Sequence, residues 1–233
     1  MSCRKLTRSI IAGAAAIVVA GGSYGIVSAT SSSSPAAASS GFAGGQGSGG
    51  GGSNARSGPA AGGASGTVAS VSTSKFTIMT SAGQKVTVDE ASSTTYQKAT
   101  SPASASAITT GEPVLVLGTT SGTTITATQV IVRPTGGGSA TSSVAKVIPF
   151  QRGATTTSKQ VGQIPANWRQ GSGTIVSGTA ANKATEAALA AYPGGIVDRV
   201  VKLSNGDYNV HYIGVNWPHH VFVNQDFKVI GAE

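Results

Sequence analysis

Three histidines, His211, His219 and His220, fall within ten residues of one another near the end of the chain. Imidazoles brought together can ligate zinc or copper, and exposed ones can make a surface respond to pH. His219 and His220 are sequential, so in a strand they point to opposite faces and at most two of the three converge. The nearest acids, Asp207 and Asp226, sit at turns. The expectation is therefore histidines on a sheet surface or edge, with metal binding as an alternative use and no metal ligands or cofactor assigned. Nucleophilic chemistry has even less to build on. No Ser stands in G-x-S-x-G, the single cysteine, Cys3, lies at the extreme N-terminus, and no spacing pairs two carboxylates. The chain reads as a non-enzyme.

The elements that position the histidines come from the last 60 residues. Ala184, Ala187, Ala188 and Ala191 recur at helical spacing with Leu189, behind Thr179 as an N-cap and before Pro193-Gly194-Gly195. Ile196 to Leu203 follows as a strand. Asn205-Gly206 is a favoured two-residue hairpin turn, which would pair Leu203 with Tyr208, Val201 with Val210 and Arg199 with Tyr212. Tyr208, Val210 and Tyr212 then share the face under the helix, and His211 and Ile213 share the other. Trp217-Pro218-His219-His220 forms a bulky corner. Trp217, His219, His220, His211 and Tyr212 are the candidate binding residues, centred on that corner.

This C-terminal part resembles the PepSY family. The residues that carry the resemblance are Ala184 to Tyr192 with Pro193-Gly194-Gly195, Val197 to Val201, Gly206-Asp207-Tyr208-Asn209-Val210-His211, Val221-Phe222-Val223-Asn224 and Asp226-Phe227-Lys228-Val229. The resemblance covers about 174–233. It implies one helix on a three- to four-stranded antiparallel sheet. It also implies a non-catalytic role: binding, and restraining, a protease or another secreted or envelope protein.

Upstream, residues 67–133 alternate with period two. Val68 and Val71, then Phe76 and Ile78, then Val86 and Val88 mark three short strands. Val114-Leu115-Val116-Leu117 reads as a strand buried on both faces, and Ile125 to Val132 as the last. A polar stretch, 91–110, has room for one helical turn. So many short strands in 67 residues predict a small antiparallel barrel of OB-like type, because closure removes exposed edges. Gly66, Val68, Phe76 to Val88, Gly111, Val114, Val116, Gly118, Ala127, Val130 and Val132 resemble a small β-barrel domain of unknown function found in exported bacterial proteins. The resemblance supplies no activity. The whole chain is expected to be mainly β with an α+β part.

The remaining segments explain the composition. The net charge of the 233-residue chain is +8, with only 10% charged residues and 33 glycines. Arg4, Lys5, Arg8 and Arg56 are the only charges in 1–66, and Lys146, Arg152, Lys159 and Arg169 the only ones in 134–170. The two foldable parts are nearly neutral, so the charge does not describe a phosphate-tracking face and no nucleic-acid partner is expected. The apolar run 9–29 follows the first three positive residues. It is read as a membrane anchor, since 21 residues span about 30 Å, or as a signal peptide cleaved after Ala29. Either outcome places the rest outside the cytoplasm. Residues 30–66 are read as a disordered tether, because 32 of the 36 from Ser31 on are Gly, Ser, Ala or Pro. G-x-G-x-x-G at Gly45–Gly50 has no strand before it or helix after it and is not a dinucleotide fingerprint. Residues 134–173 form a basic connector. Lys146, Arg152, Lys159 and Arg169 are its candidates for touching an anionic envelope polymer, while Trp168 suggests that part of it is clamped on a neighbouring surface.

Overall fold

The computed structural model describes residues 58–134, 147–155 and 157–233. The export run, most of the tether and Lys146 lie outside these residues. Among the described residues no helix is long and apolar enough to cross a membrane.

Alternating apolar residues build the first half. Strands β1 (Ala60–Val71), β2 (Lys75–Met79) and β3 (Lys85–Lys98) form a meander. The short β4 (Ser101–Ala103) and one turn of 3₁₀ helix, Ala105–Ala107, cross to β5 (Pro113–Ser121) and its hairpin partner β6 (Thr124–Val132). The barrel closes in the order β1-β2-β3-β6-β5-β1. The expectation of an antiparallel barrel is corrected at one seam, where β3 and β6 run parallel. Five strands in a ring cannot alternate direction all the way round, so one parallel pair is obligatory. Val68, Phe76, Ile78, Val86, Val88, Val114, Val116, Ile125, Val130 and Val132 fill the interior.

Beyond the barrel, β7 (Ile148–Pro149), β8 (Val161–Gly162) and β9 (Thr174–Val176) are short pieces of the connector. Helix α1 (Gly178–Ala191) precedes β10 (Ile196–Lys202), β11 (Tyr208–Ile213), β12 (Val215–Trp217), β13 (His220–Val223) and β14 (Val229–Ala232). Ser177, not Thr179, is the extended residue at the helix start. Strands run β1-β10-β11-β13-β14-β8, with β9 beside the far end of β10 on the edge that β1 also pairs, and β7 on β12. Ala181, Ala184, Ala188 and Leu189 pack on Val197, Val200, Tyr208, Val210 and Tyr212. Small side chains on α1 let it lie close to the sheet.

Strand β1 belongs to both halves. Its C-terminal part pairs with β2 and β5, while Gly63 and Ala64 pair with β5 on one side and with Val197 and Ile196 of β10 on the other. Residues 60–66 are therefore strand, where their composition reads as tether. The glycines serve close approach: a Cβ on Gly62 would lie 2.0 Å from the Val197 carbonyl oxygen, and one on Gly63 2.3 Å from that of Val116. The same geometry explains why β5 is buried on both faces. Val114 and Val116 point into the barrel, and Leu115 and Leu117 into the core beneath α1.

Candidate ligand cleft on the histidine face

The hairpin between β10 and β11 sets the site. Leu203 and Asp207 close it, with the Gly206 N–H donating to the Leu203 carbonyl at 3.0 Å and Gly206 at φ +89°. This is a three-residue loop with a left-handed glycine, not the expected two-residue turn. The expected pairing is therefore displaced by one residue: Val200 faces Val210, and Arg199 faces His211 rather than Tyr212. On the next strand His220 faces His211. The corrected register brings Asp198, Arg199, His211 and His220 together on the side of the sheet away from α1.

His211 Nδ1 lies 2.5 Å from Asp198 Oδ1 and 3.2 Å from Arg199 Nη2. A carboxylate at that distance requires the proton on Nδ1, so His211 donates to Asp198 and the guanidinium acts there through its charge. Arg199 Nη1 also approaches Asp198 Oδ2 at 3.5 Å. The rings of His211 and His220 are 5.0 Å apart. His220 Nδ1 faces Asn209 Oδ1 at 3.2 Å, an acceptor, and so carries its own proton there. Burial first, and then electrostatic interaction with His211, His219 and Arg199 against the opposing pull of Asp198, push the His220 pKa down to about 3. It is a neutral imidazole at pH 7.

The connector covers this face. Trp168 stands 5.0 Å from the His220 ring and 5.3 Å from Phe222, edge-on. Its position is fixed by a local turn. The Trp168 N–H donates to the Pro165 carbonyl, the Arg169 guanidinium donates to the carbonyls of Ala166 and Trp168, and the Arg169 N–H donates to Ser172 Oγ. Asn167 Nδ2 donates to Ser204 Oγ at 2.8 Å and ties the turn to the β10–β11 loop. Further up, the Trp217 indole N–H donates to the Lys159 carbonyl at 2.7 Å, and Gln160 Nε2 donates to Glu233 Oε2 at 3.2 Å. The main-chain oxygen of Glu233 accepts the backbone N–H groups of His219 and His220.

Between connector and sheet lies an open cleft of about 640 Å³, lined by Thr157–Gln160, Trp168, Gln170, the three histidines and Glu233. Beneath Trp168 a much smaller cavity of about 30 Å³ is lined in part by Arg199, Asn209, His211 and His220. Asn209 is 4% exposed, and its Nδ2 has no protein acceptor.

All three histidines thus line one cleft. The strand alternation expected to separate His219 from His220 does not apply, because β13 begins at His220 and His219 lies before it. Trp217 and Tyr212 are corrected as candidate contacts: both are fully buried. Trp217 packs edge-on to Tyr192 at 5.6 Å with Lys159 Nζ 4.7 Å from its ring. Burial, then Tyr192, raises the Tyr212 pKa well above its ordinary value. Of the basic connector residues, Lys159 lines the cleft, Arg169 is engaged with carbonyl groups, and Arg152 lies in an exposed turn away from it. Among the described residues, no three His, Cys, Asp or Glu side chains are grouped to hold a metal ion. Asp198, Asn209, Gln160, Gln170 and Glu233 were not singled out by sequence. The left-handed glycine of the hairpin was the signal for the first, since it sets the register that brings Asp198 to His211.

Comparison with family models, with curated proteins and with solved structures yields no match.

Proposed function

We propose that the chain is an exported, non-catalytic binding protein of the bacterial envelope, and that the histidine-face cleft is its ligand site. The observation that carries this reading is the convergence of two separate stretches of sequence, the connector at 157–170 and the histidine strands, on one open polar cleft. A cleft of this size falls within the range of about 300–1,000 Å³ usual for small-molecule sites. The Nδ1 atoms of His211 and His220 face fixed partners, which holds those two rings in place. Glu233 is the one side-chain carboxylate in the described lining, whereas glycoside hydrolysis takes a pair.

Export is supported by the positive residues ahead of the apolar run 9–29, which either anchors the chain or is cleaved near Ala29. The PepSY-like reading of 174–233 is supported by the order of helix, hairpin and the further sheet strands β13 and β14. The OB-like reading of 67–133 is supported by the strand order of the barrel. The PepSY-like resemblance implies binding rather than catalysis. For this face, a ligand is favoured over a protease or other protein partner, because Trp217, the side chain suited to anchor a protein, is in the core.

The test is a thermal-shift screen of envelope-derived peptide, polymer and soluble fractions against the wild type and Ser158→Trp. Ser158 is exposed on the cleft wall, so the indole fills the cleft without entering the core. At least one fraction is expected to raise the wild-type melting temperature and leave the variant unchanged. Equal shifts in both proteins, or none in either, contradict the reading.

A further inference from the structure

We infer that the cleft takes an uncharged saccharide, with one sugar ring laid against the Trp168 indole and its hydroxyls bonded by Gln160, Gln170 and Glu233. This rests on the cleft being the ligand site and adds the class of ligand. Three observations carry it.

The first is the balance of polar groups. A sugar hydroxyl both donates and accepts, and an amide side chain does the same, with two donors and two lone pairs. Gln160 and Glu233 are already joined at 3.2 Å as an amide–carboxylate pair. That pair keeps a donor and several acceptor positions for adjacent hydroxyls. A phosphate- or carboxylate-bearing polymer asks instead for donors and positive charge. The cleft offers donors, but little of that charge is free for an anion. His220 is neutral, Glu233 is negative, and the Lys159 ammonium is turned onto the Trp217 ring.

The second is the single aromatic surface. Trp168 is half-buried and lines both the cleft and the small cavity behind it. Its turn fixes it in place, so little side-chain entropy is lost when a ring docks. The face of an indole is electron-rich, and the C–H face of a pyranose carries the complementary partial charge. No aliphatic side chain lines the cleft. An apolar peptide segment therefore has no pocket to fill, whereas a saccharide needs only the one ring.

The third is shape. The cleft is open rather than enclosed, and its lining comes from the connector on one side and the histidine strands on the other. That suits a ligand that is polar on its edges and keeps part of its surface in water.

The test titrates the full chain by calorimetry with uncharged oligosaccharides at millimolar concentration: β-linked and α-linked glucose, mannose and N-acetylglucosamine oligomers. Poly-L-glutamate serves as the anionic probe. At least one saccharide is expected to bind, about tenfold more weakly to Trp168→Ala and severalfold more weakly to Gln170→Ala. Gln170 is exposed, so its removal leaves the fold intact, and Trp168→Phe should recover part of the affinity. Absence of binding by every saccharide, or equal affinity in wild type and Gln170→Ala and Trp168→Ala, overturns the inference. If poly-L-glutamate alone binds and Ser158→Trp abolishes it, the ligand class falls while the cleft stands. If Ser158→Trp abolishes nothing, the cleft itself is the part that fails.

Discussion

Burial displaces the His220 pKa from its ordinary value, and the displacement has a direction that can be read as stability. Its folded pKa of about 3 lies below the ordinary 6.5. Between those values the unfolded chain binds a proton that the folded chain does not. Stability conferred by the neutral ring is therefore complete above pH 6.5 and declines as pH falls toward 3, with a slope of at most about 1.4 kcal/mol per pH unit. Urea denaturation of wild type and His220→Gln from pH 8 to 4 should show the wild type losing stability faster, and parallel curves would contradict this. Trp217 is a second case. Trp217→Ala removes a fully buried ring and the hydrogen bond to the Lys159 carbonyl, and should cost about 3–5 kcal/mol in the same measurement. A loss under about 1 kcal/mol would mean the indole is a surface group after all. Sequence singled out these two residues for the right neighbourhood and misread their exposure. A bulky Trp-Pro-His-His corner has the composition of a contact surface, and nothing local reveals that Tyr192 and Lys159, distant in sequence, close over it.

At the scale of elements, period-two alternation located the barrel strands and period 3.6 located the helix, because each signal is local and each element buries one face. The first half of β1 was not legible. Gly62 and Gly63 stand where neighbouring backbones leave no room for a Cβ, and in composition they are the same as the glycines of a tether. Gly63→Val should therefore cost more than about 3 kcal/mol or prevent folding, while Gly58→Val, with open space around it, should be near neutral. Equal melting temperatures for the two variants would show that β1 is not wedged between β5 and β10. The hairpin register was misplaced for a comparable reason. Asn205-Gly206 fits two turn types, and only the left-handed Gly206 paired behind Leu203 decides between them. That one-residue difference is what sets Arg199 and Asp198 against His211.

At the scale of the molecule, the barrel and the helix-covered sheet share β1, and all described residues fall in one compact unit. Unfolding should then be a single transition, with the tryptophan signal of Trp168 and Trp217 coinciding with loss of hydrogen-exchange protection in β2 and β6. Two separated transitions would contradict the shared strand. The connector completes the arrangement by laying 157–171 on the face that α1 leaves open, and so makes the cleft from parts that mean little separately. Whether ligand enters there is the central question, and amide chemical-shift mapping of the full chain answers it most directly. On addition of the fraction or saccharide that raises the melting temperature, shifts should concentrate at Gln160, Trp168, Gln170, His211 and His219–His220. Shifts confined to the barrel loops, with those residues unmoved, would contradict the account.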